Sequence, residues 1–270
     1  GYKGQGGTIK IEARLTKSAL VKSKVQGCDY SINPYYGCSH ACSFCYATFM
    51  CRFLDEKERW GRFVYPKINL PDVLMKQVKK AGGKSVVFST ATDAYQPLEA
   101  KFGVTRACLE LLSKVDCRVD ILTKSALVVR DVDLIAKFDG PTVGFSMSYH
   151  DERLRAAFED DSAPIRARID ALKMFKQRGV STWIFMSPIL PLVTNVDRII
   201  EIAATIGCGL SMDFLNPYPR VLRSLAISYG KLGLNFDDAM RLLSNADFRK
   251  AQKLRAIEKA NRIGVQLTCY

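Results

Sequence analysis

Short apolar runs rich in β-branched residues alternate with longer amphipathic stretches through the middle of the chain. The short runs have the length and composition of buried strands, and they cover Tyr30–Asn33, Ser85–Ser89, Val119–Thr123, Thr142–Ser146, Ser181–Met186 and Leu210–Leu215. The longer stretches have the period of helices, and they cover Pro71–Ala81, Val104–Lys114, Val129–Phe138, Pro164–Gly179 and Asn195–Ile206. Regular βα alternation predicts a parallel sheet with right-handed crossover connections.

About six βα units are too few for a closed eight-stranded barrel. The predicted fold is therefore α/β, an open, partial (βα)6 TIM-like barrel with its active site at the carboxyl ends of the strands. After residue 216 the alternation stops, and the pattern predicts helices near Phe236–Ser244 and Asp247–Ile263 and a short strand at Val265–Thr268. We expect three regions: a basic N-terminal segment at 1–28, the partial barrel at 29–216, and a helical C-terminal extension at 217–270 packed on the barrel.

Three closely spaced cysteines follow the first predicted strand. Cys38, Cys42 and Cys45 have the spacing C-x3-C-x2-C, with Phe44 directly before the third cysteine. Cysteine thiolates are the usual ligands of iron–sulfur clusters, and a cubane needs one ligand for each of its four irons. Three thiolates with no obvious fourth predict a cluster that leaves one iron open to an outside ligand.

Other uses of the cysteines stay open. Zinc also accepts closely spaced thiolates, although His40 inside the motif is badly placed to join its neighbours and His150 is the only other histidine. Disulfides are a second alternative, against which stand an odd count of nine cysteines and the lack of a signal-peptide pattern. Cys28 and Cys51 flank the motif and are candidates for a second centre, although no second short-spaced pair exists.

The net charge of the chain indicates what kind of partner it binds. A net charge of +13, from 40 basic and 27 acidic residues, favours an anionic partner, and nucleic acid is the usual one. The basic excess is concentrated in residues 1–24 and 241–262, although a solvated helix face and a basic start would give the same pattern. No apolar run has the length needed to cross a membrane. Free thiols and an oxygen-sensitive cluster suit a reducing compartment, so the expected localisation is cytoplasmic.

An ordered series of short motifs accompanies the cysteines between about Asp29 and Leu215. The series comprises Thr92–Glu99, Thr105-Arg106, Thr123–Ser125, Arg130–Leu134, Ala163-Pro164 with Arg168, and Pro188–Pro191. In this order the motifs resemble the spore photoproduct lyase-like branch of the radical S-adenosylmethionine (SAM) superfamily, also described as DNA repair photolyase-like. The resemblance implies a [4Fe-4S] cluster on Cys38, Cys42 and Cys45, SAM on the open iron, and reductive cleavage of SAM to a 5′-deoxyadenosyl radical.

The same resemblance implies contacts to SAM. Phe44 would lie against the adenine, and Pro188 would shape the adenine pocket at the fifth strand. Lys124 would bind the SAM carboxylate through a charge-assisted hydrogen bond, unless it is a surface lysine. The remaining implied contacts follow the second and fourth strands. After the second strand, Thr90, Thr92 and Asp93 would bind the amino group of SAM. After the fourth strand, Ser146 would bind the carboxylate and ribose, and Ser148 is the alternative for this role. Glu159, Arg166 and Arg168 would either hold a loop by ion pairs or touch the substrate.

One departure from the lyase pattern bears on the reaction. Thr90 occupies the position at which the lyase has the cysteine that returns a hydrogen atom to the product radical. An O–H bond is too strong to give up hydrogen easily, so we do not expect thymine-dimer repair. Tyr46, Tyr95 or Cys269 would be alternative hydrogen donors, or SAM would be consumed as an oxidant and no donor would be needed.

The predicted function is a radical SAM enzyme that abstracts hydrogen from a nucleic-acid base, in lesion repair or modification. A base would have to be flipped out or single-stranded to reach the barrel mouth. The electron would come from a one-electron reductant such as flavodoxin or ferredoxin. Two alternatives stay open: a radical SAM enzyme acting on a peptide or small metabolite, and a metal-bound nucleic-acid-binding protein without catalysis. Lys67 or Asn69, after the cysteine loop, would either face the site or pack in the fold.

Overall fold

The computed structural model describes residues 2–4, 7–52 and 59–270. Its strands are β1 (Tyr2–Gly4), β2 (Gly7–Ile11), β3 (Val21–Lys22), β4 (Tyr30–Ile32), β5 (Tyr35–Tyr36), β6 (Phe63–Pro66), β7 (Lys84–Phe88), β8 (Cys117–Thr123), β9 (Thr142–Ser146), β10 (Ser181–Ile189), β11 (Gly209–Phe214) and β12 (Leu267–Cys269). Its α-helices are α1 (Leu70–Gln77), α2 (Glu99–Phe102), α3 (Val104–Leu112), α4 (Val132–Ile135), α5 (Glu152–Phe158), α6 (Ile165–Gln177), α7 (Val196–Ile206), α8 (Pro219–Lys231), α9 (Phe236–Ser244) and α10 (Ala246–Ile263). Short 3₁₀ helices cover Tyr46–Arg52, Val78–Ala81 and Ala126–Asp131.

The main sheet has the strand order β12-β11-β10-β9-β8-β7-β4-β3. All neighbouring pairs from β4 to β12 are parallel, and β3 alone runs antiparallel to its neighbour β4. Each parallel strand lies beside the strand that precedes it in this sheet, as expected when helical crossovers turn in one direction. The arrangement confirms the predicted α/β class and parallel sheet, and each of the six predicted strands overlaps an observed one.

The core lies between this sheet and the helices that connect its strands. Strand residues such as Val119, Ile121, Phe145 and Met212 are at most 1% exposed. Along β8 every second side chain from Cys117 to Thr123 is buried and those between are more exposed, so the strand buries mainly one face. The connecting helices contribute one apolar stripe each, for example Ile199, Ile200 and Ala203 of α7.

The region after residue 216 contains a helix that the sequence pattern did not predict. Helix α8 begins at Pro219, in the first turn, where the missing backbone N–H of proline costs no helical hydrogen bond. Pro217 and Pro219 at its start and Gly230 near its end are residues that disfavour helix in a sequence pattern. Strand β12, close to the predicted position, adds to the main sheet beside β11, with Leu210 opposite Leu267. Among the described residues, no helix has both the length and the apolar character that crossing a membrane requires.

A second sheet, with the order β1-β2-β6-β5, lies beside the cysteine loop and was not predicted. Strand β5 pairs antiparallel with β6, Tyr36 opposite Tyr65, and the cysteine loop continues directly from β5. Asn69 holds this region together, because its side chain accepts from Thr16 N at 2.8 Å and donates to Thr16 O at 2.9 Å. Lys67 is 9% exposed and its Nζ lies 4.0 Å from the Tyr36 ring centroid. Both residues therefore pack within the fold, and burial lowers the pKa of Lys67 to about 8.

Arg168 of α6 is fully buried and fixes the carboxyl end of β9. Its guanidinium donates to the Ser146 carbonyl at 2.7 Å, to the Ala163 carbonyl at 2.9 Å and to the Glu159 carboxylate. Glu159 is 1% exposed, and the Ser162 hydroxyl also donates to it at 2.6 Å. Although burial acts in the opposite direction, Arg168 and Lys124 lower the pKa of Glu159. The pair therefore supports the site from within the fold, while the Arg166 side chain is 91% exposed.

Replacing Arg168 should therefore cost far more stability than replacing its neighbour. We expect Arg168→Met to lower the free energy of unfolding by about 3–5 kcal/mol, because the buried Glu159 carboxylate loses its partner. Arg166→Met, two positions away on the exposed face, should change it by less than about 0.5 kcal/mol. Urea denaturation followed by circular dichroism measures both values. Similar losses in the two variants would contradict the structural role of Arg168.

Candidate functional site

The carboxyl ends of the parallel strands meet at one edge of the main sheet, where the cysteine loop lies. The loop is hydrogen-bonded to the segment after β7. Asn33 donates to Thr90 Oγ1 at 2.8 Å, and the hydroxyl of Thr92 donates to the Gly37 carbonyl at 2.6 Å. Gln96 also takes part, because its Oε1 accepts from Ser39 N at 3.0 Å. Two segments predicted to share a site, the cysteines and Thr90 to Asp93, are therefore in direct contact.

The three motif cysteines are free thiols, and Cys42 and Cys45 have pKa values that respond to neighbouring cysteines. Cys38 and Cys42 are buried, at 7% and 8% exposure, and Cys45 is partly buried. Burial raises the pKa of Cys42 well above its usual value and that of Cys45 to about 12, and the neighbouring thiols add to both shifts. In residues 2–4, 7–52 and 59–270, no three His, Cys, Asp or Glu side chains are grouped around one metal position. The assignment of these thiols as cluster ligands stays a prediction.

Unpaired polar atoms around the cysteine loop fit a site that accepts a further group. Buried side-chain atoms without a hydrogen-bond partner include Ser39 Oγ, His40 Nε2, Ser43 Oγ, Trp60 Nε1 and Tyr149 Oη. Ser39, His40 and Ser43 belong to the loop itself. Trp60 influences the pKa of Cys45, and Cys42 influences the pKa of Tyr149. Buried polar groups normally have partners. Cysteine sulfurs are the usual ligands of an iron–sulfur cluster, and N–H and O–H groups donate hydrogen bonds to the sulfurs of such clusters, so these groups fit one.

Asp93 connects the cysteine loop with the segment after β8. Its carboxylate accepts from Thr123 Oγ1 at 2.7 Å, from Lys124 N at 2.8 Å and from Tyr95 N at 2.9 Å, and it lies 3.4 Å from His40 Nδ1. Burial alone would raise the pKa of Asp93, but His40 and these hydrogen bonds lower it to about 2. Both carboxylate oxygens are thus used inside the protein. Asp93 positions its neighbours, and its carboxylate has little capacity left for the predicted contact to SAM.

The Lys124 ammonium lies near the Phe44 ring, and Lys124 and Cys42 act on each other's pKa. The Lys124 ammonium is 5.7 Å from the Phe44 ring centroid. Burial alone would lower the pKa of Lys124, but the neighbouring Cys42 and Glu159 outweigh it and raise the pKa. The Lys124 side chain is partly buried. An anionic group entering beside Cys42 would meet a fixed positive charge and an aromatic face.

The remaining predicted contacts lie along the same edge. The Ser146 hydroxyl donates to the Ser187 carbonyl at 3.2 Å, directly before Pro188, so it links the ends of β9 and β10. Ser148 is 1% exposed. Tyr46 is 51% exposed and its hydroxyl donates to the Thr90 carbonyl.

Tyr95 is placed differently from the other predicted residues. Its side chain is fully buried and its hydroxyl donates to Asp131 Oδ2 at 3.1 Å. Asp131 also binds Arg106 at 2.6 Å and Arg130 at 2.8 Å. Burial and the Asp131 charge raise the pKa of Tyr95 well above its usual value. The hydroxyl is therefore committed to a structural network, which gives the hydrogen-donor role no support.

Two features of the site had no signal in our reading of the sequence. His40, weighed only as a metal ligand, pairs with Asp93, and Cys38 and Asp93 raise its pKa to about 10 against the effect of burial. Helix α8 also contacts the loop, because Ser224 Oγ donates to the Ser43 carbonyl at 2.7 Å and Arg220 Nη1 to the Thr48 carbonyl at 3.4 Å. Both contacts join residues distant in the chain. Spacing rules that act over a few residues do not detect them.

Comparison with known proteins identifies relatives of the chain. An uncharacterized protein of Methanocaldococcus jannaschii is 35% identical over 237 residues, which cover 88% of this chain and 86% of that protein. An uncharacterized protein of Mycobacterium tuberculosis is 27% identical over 219 residues, covering 76% of this chain and 64% of that one.

Solved structures share the fold. A spore photoproduct lyase variant with bound AdoMet and dinucleoside spore photoproduct matches with a TM-score of 0.73 at 14% identity, covering 97% of this chain and 82% of the lyase. SuiB of Streptococcus suis bound to S-adenosylmethionine matches with a TM-score of 0.57 at 18% identity, covering 89% of this chain and 49% of SuiB. The family model of the radical SAM superfamily matches residues 32–206, more than half of the chain, from the last residue of β4 to the end of α7. The chain belongs to the radical SAM superfamily.

Proposed function

We propose that the protein is a radical SAM enzyme in which Cys38, Cys42 and Cys45 hold a [4Fe-4S] cluster with one iron open for SAM. When bound, the cluster and SAM supply the one-electron chemistry that yields a 5′-deoxyadenosyl radical. The observation that carries the proposal is the position of Lys124 at the carboxyl edge of a parallel sheet, with its ammonium 5.7 Å from the Phe44 ring centroid and its charge acting on the pKa of Cys42. Membership of the superfamily implies both cofactors.

The protein's own residues then position SAM and exclude water. Lys124 would bind the SAM carboxylate, and its ammonium is already held beside Cys42. Phe44 and the Pro188 segment would enclose the adenine. The main-chain groups of Thr90 and Thr92 would serve the amino group, and Ser146 or Ser148 the ribose. Asp93 would act one step further away, because it holds the Lys124 backbone. A buried, preorganised site of this kind limits side reactions of a radical.

We also propose that the main sheet curves as an open, partial barrel. Strands β3 and β12 are its two edges, and among the described residues neither pairs with a further strand of that sheet. The barrel would comprise residues 29–216, and the segments before and after it would each add one edge strand to its sheet, β3 and β12. Residues 217–270 would be a C-terminal extension that covers the cysteine loop through α8, a boundary supported by the contacts of Ser224 and Arg220.

Cleavage of SAM tests the central proposal. Anaerobically purified protein, reconstituted with iron and sulfide, should release 5′-deoxyadenosine from SAM when dithionite is added. Cys42→Ala should lose this activity, since one of three cluster ligands is gone. Cys208→Ala is the matched control, because Cys208 is also a buried free thiol but lies at the opposite end of β11. A cluster-loaded protein that releases no deoxyadenosine would contradict the enzyme and favour a metal-bound binding protein.

Lys124 should act mainly on SAM binding. A hydrogen bond to a charged group is worth about 1.5–3 kcal/mol, so Lys124→Met should raise the KM for SAM about 10- to 150-fold. Lys124→Arg should recover part of the affinity, because it keeps the positive charge. The KM is measured from initial rates of deoxyadenosine release at saturating reductant. An unchanged KM in Lys124→Met would remove this residue from the SAM pocket.

For the substrate we propose a nucleic-acid base in a flipped or single-stranded conformation. Tyr46 and Tyr218 are 51% and 44% exposed. Tyr46 begins the 3₁₀ helix Tyr46–Arg52, Tyr218 directly precedes α8, and the two helices are joined by the hydrogen bond from Arg220 Nη1 to the Thr48 carbonyl at 3.4 Å. The Tyr46 ring also packs against Phe49, with centroids 6.3 Å apart. Arg220 lies beside them, and the net charge is +13. Exposed aromatic and basic side chains together are typical of single-stranded nucleic-acid binding.

The reaction on that base need not copy the structural neighbour. The lyase structure holds a dinucleoside spore photoproduct, whereas Thr90 stands here at the position of the lyase's hydrogen-donating cysteine. Modification of a base, or repair of a different lesion, therefore fits better than thymine-dimer repair. A flavodoxin or ferredoxin would deliver the electron. SuiB has also been solved with its precursor peptide SuiA, so a peptide substrate is the outcome against which the proposal has to be tested.

Tyr218 provides that test. Base stacking on an aromatic side chain is worth about 1–3 kcal/mol, so Tyr218→Ala should weaken binding of a labelled single-stranded oligonucleotide about 5- to 150-fold. Tyr270→Ala, at another exposed tyrosine, should leave it unchanged. Fluorescence anisotropy with DNA, RNA and an acidic peptide of equal charge, at several salt concentrations, measures the affinities. Equal losses in both variants, or preference for the peptide, would contradict the nucleic-acid proposal.

A further inference from the structure

Helix α8 lies after residue 206, where the match to the superfamily model ends, yet two of its side chains bind main-chain carbonyls of the candidate site. Ser224 Oγ donates to the Ser43 carbonyl at 2.7 Å, and Tyr229 Oη donates to the Pro191 carbonyl at 2.9 Å. The first carbonyl belongs to the cysteine loop and the second to the segment after β10. Helix α8 therefore joins two segments of the site that are far apart in the chain.

The contact of Ser224 acts on the peptide bond that leads into Phe44. Ser43 directly precedes Phe44, and its N–H donates to the Phe158 carbonyl at 2.9 Å. Ser224 has a second acceptor in the Val221 carbonyl of its own helix at 2.9 Å, but a hydroxyl has one hydrogen and the Ser43 carbonyl is the nearer acceptor. Both main-chain groups of Ser43 thus have partners outside the loop, which fixes the path of the chain at Phe44.

The first part of the cysteine loop is held independently of α8. A Cβ on Gly37, which has a φ of +76°, would lie 2.3 Å from the Phe63 carbonyl oxygen. A Cβ on Gly61, which has a φ of +89°, would lie 2.3 Å from the Ala41 Cβ. Only glycine permits both contacts. Because this part of the loop is packed against the chain around Gly61, loss of the α8 contact should affect the later part, which begins at Ser43.

Tyr229 reaches the other segment from a fixed position in the core. Its side chain is fully buried, and its ring packs on Phe158, with centroids 5.3 Å apart and planes at 89°, and on Phe236, with centroids 5.7 Å apart. Edge-to-face contacts on two sides restrict rotation of the ring. A buried hydroxyl needs a hydrogen-bond partner, and among the described residues the Pro191 carbonyl is its acceptor.

The Pro191 carbonyl belongs to a turn with an unfavourable backbone conformation. Leu192, the next residue, has a φ of +66° although its side chain is 51% exposed. The left-handed region carries a steric cost for a residue with a side chain, and such a conformation persists where surrounding contacts impose it. Thr194 N donates to the Leu190 carbonyl at 2.8 Å within the turn. Tyr229 holds the peptide bond between Pro191 and Leu192 from outside.

We propose that α8 is a bridge that fixes the spacing between Phe44 and the Pro188–Pro191 segment, and with it the width of the adenine site for SAM. The inference rests on the proposed function, in which these two segments enclose the adenine. Ser224 and Tyr229 are positioning residues, because each acts through a main-chain carbonyl of one segment. A site whose walls are held at the right spacing before binding loses less conformational freedom when its ligand enters.

Removal of either hydroxyl should weaken SAM binding. Ser224→Ala and Tyr229→Phe each remove one neutral hydrogen bond and should each raise the dissociation constant of SAM about 2- to 13-fold. Ser228→Ala is the matched control, because Ser228 is also buried on α8, at 3% exposure, and the described part of the chain shows no hydrogen bond of its hydroxyl. Isothermal titration calorimetry on the reconstituted protein with its cluster oxidised measures binding without turnover. Unchanged dissociation constants in both variants would overturn the inference.

The double variant tests whether the two contacts form one bridge. Cutting either end of a bridge releases the same spacing, so Ser224→Ala/Tyr229→Phe should bind SAM about as weakly as the weaker single variant. Two independent local contacts would multiply their effects instead, and this result would overturn the bridge. Lys124→Met, on the carboxylate side of SAM, should multiply with Ser224→Ala, which provides the reference for independent sites.

Steady-state rates distinguish an effect on the site from a folding defect. In both single variants the KM for SAM in deoxyadenosine release should rise while kcat at saturating SAM stays nearly constant, as for a loss of binding that is uniform along the reaction. A folding defect would lower kcat through loss of active protein and leave the KM unchanged, and this pattern would overturn the positioning role.

The wild-type protein separates failure of this inference from failure of the proposed function. Wild-type protein that takes up the cluster but neither binds nor cleaves SAM would contradict the proposed function, and the role of α8 would fall with it. Wild-type protein that binds and cleaves SAM, with Ser224→Ala and Tyr229→Phe equal to it, would overturn the role of α8 alone.

Discussion

The site depends on one buried carboxylate that joins three segments of the chain. Asp93 follows β7, accepts hydrogen bonds from Thr123 and Lys124 after β8, and pairs with His40 in the cysteine loop. A buried charge is stable only when it is paired and hydrogen-bonded, and all these partners are needed to meet that condition. The direction of Lys124 and the path of the cysteine loop are therefore set together. Removal of Asp93 would therefore leave Lys124 and the cysteine loop without the group that joins them.

Much of the main sheet could be predicted because its strands are neighbours in the order of the sequence. Each βα unit carries its own apolar pattern, so local periodicity places β7 to β11 within a few residues. The three cysteines were equally visible, because their short spacing is a local pattern. The resemblance, not periodicity, marked Phe44 and Lys124 as residues of the same site. The Lys124 ammonium lies 5.7 Å from the Phe44 ring centroid, and their contacts to SAM stay a prediction.

The parts that were missed depend on contacts between distant residues. Strands β2, β5 and β6 are short, and their pairing carries little pattern of its own. Helix α8 was hidden by its prolines and glycine. Tyr95 looked like a site residue because it lies in a matched motif, but its hydroxyl turns to Asp131, which is 36 positions away. Sequence order places a residue near a site, whereas the partner of its side chain decides its role.

The close approach of Gly37 and Gly61 to the backbone and side chains opposite them gives a criterion for sorting related sequences. A chain that keeps the cysteine spacing and both glycines has room for the same contact between the cysteine loop and the segment from Trp60 to Phe63. A chain that keeps the cysteines but carries a larger residue at either position has to support its loop in another way. Subgroups within the radical SAM superfamily can thus be separated by these two glycine positions.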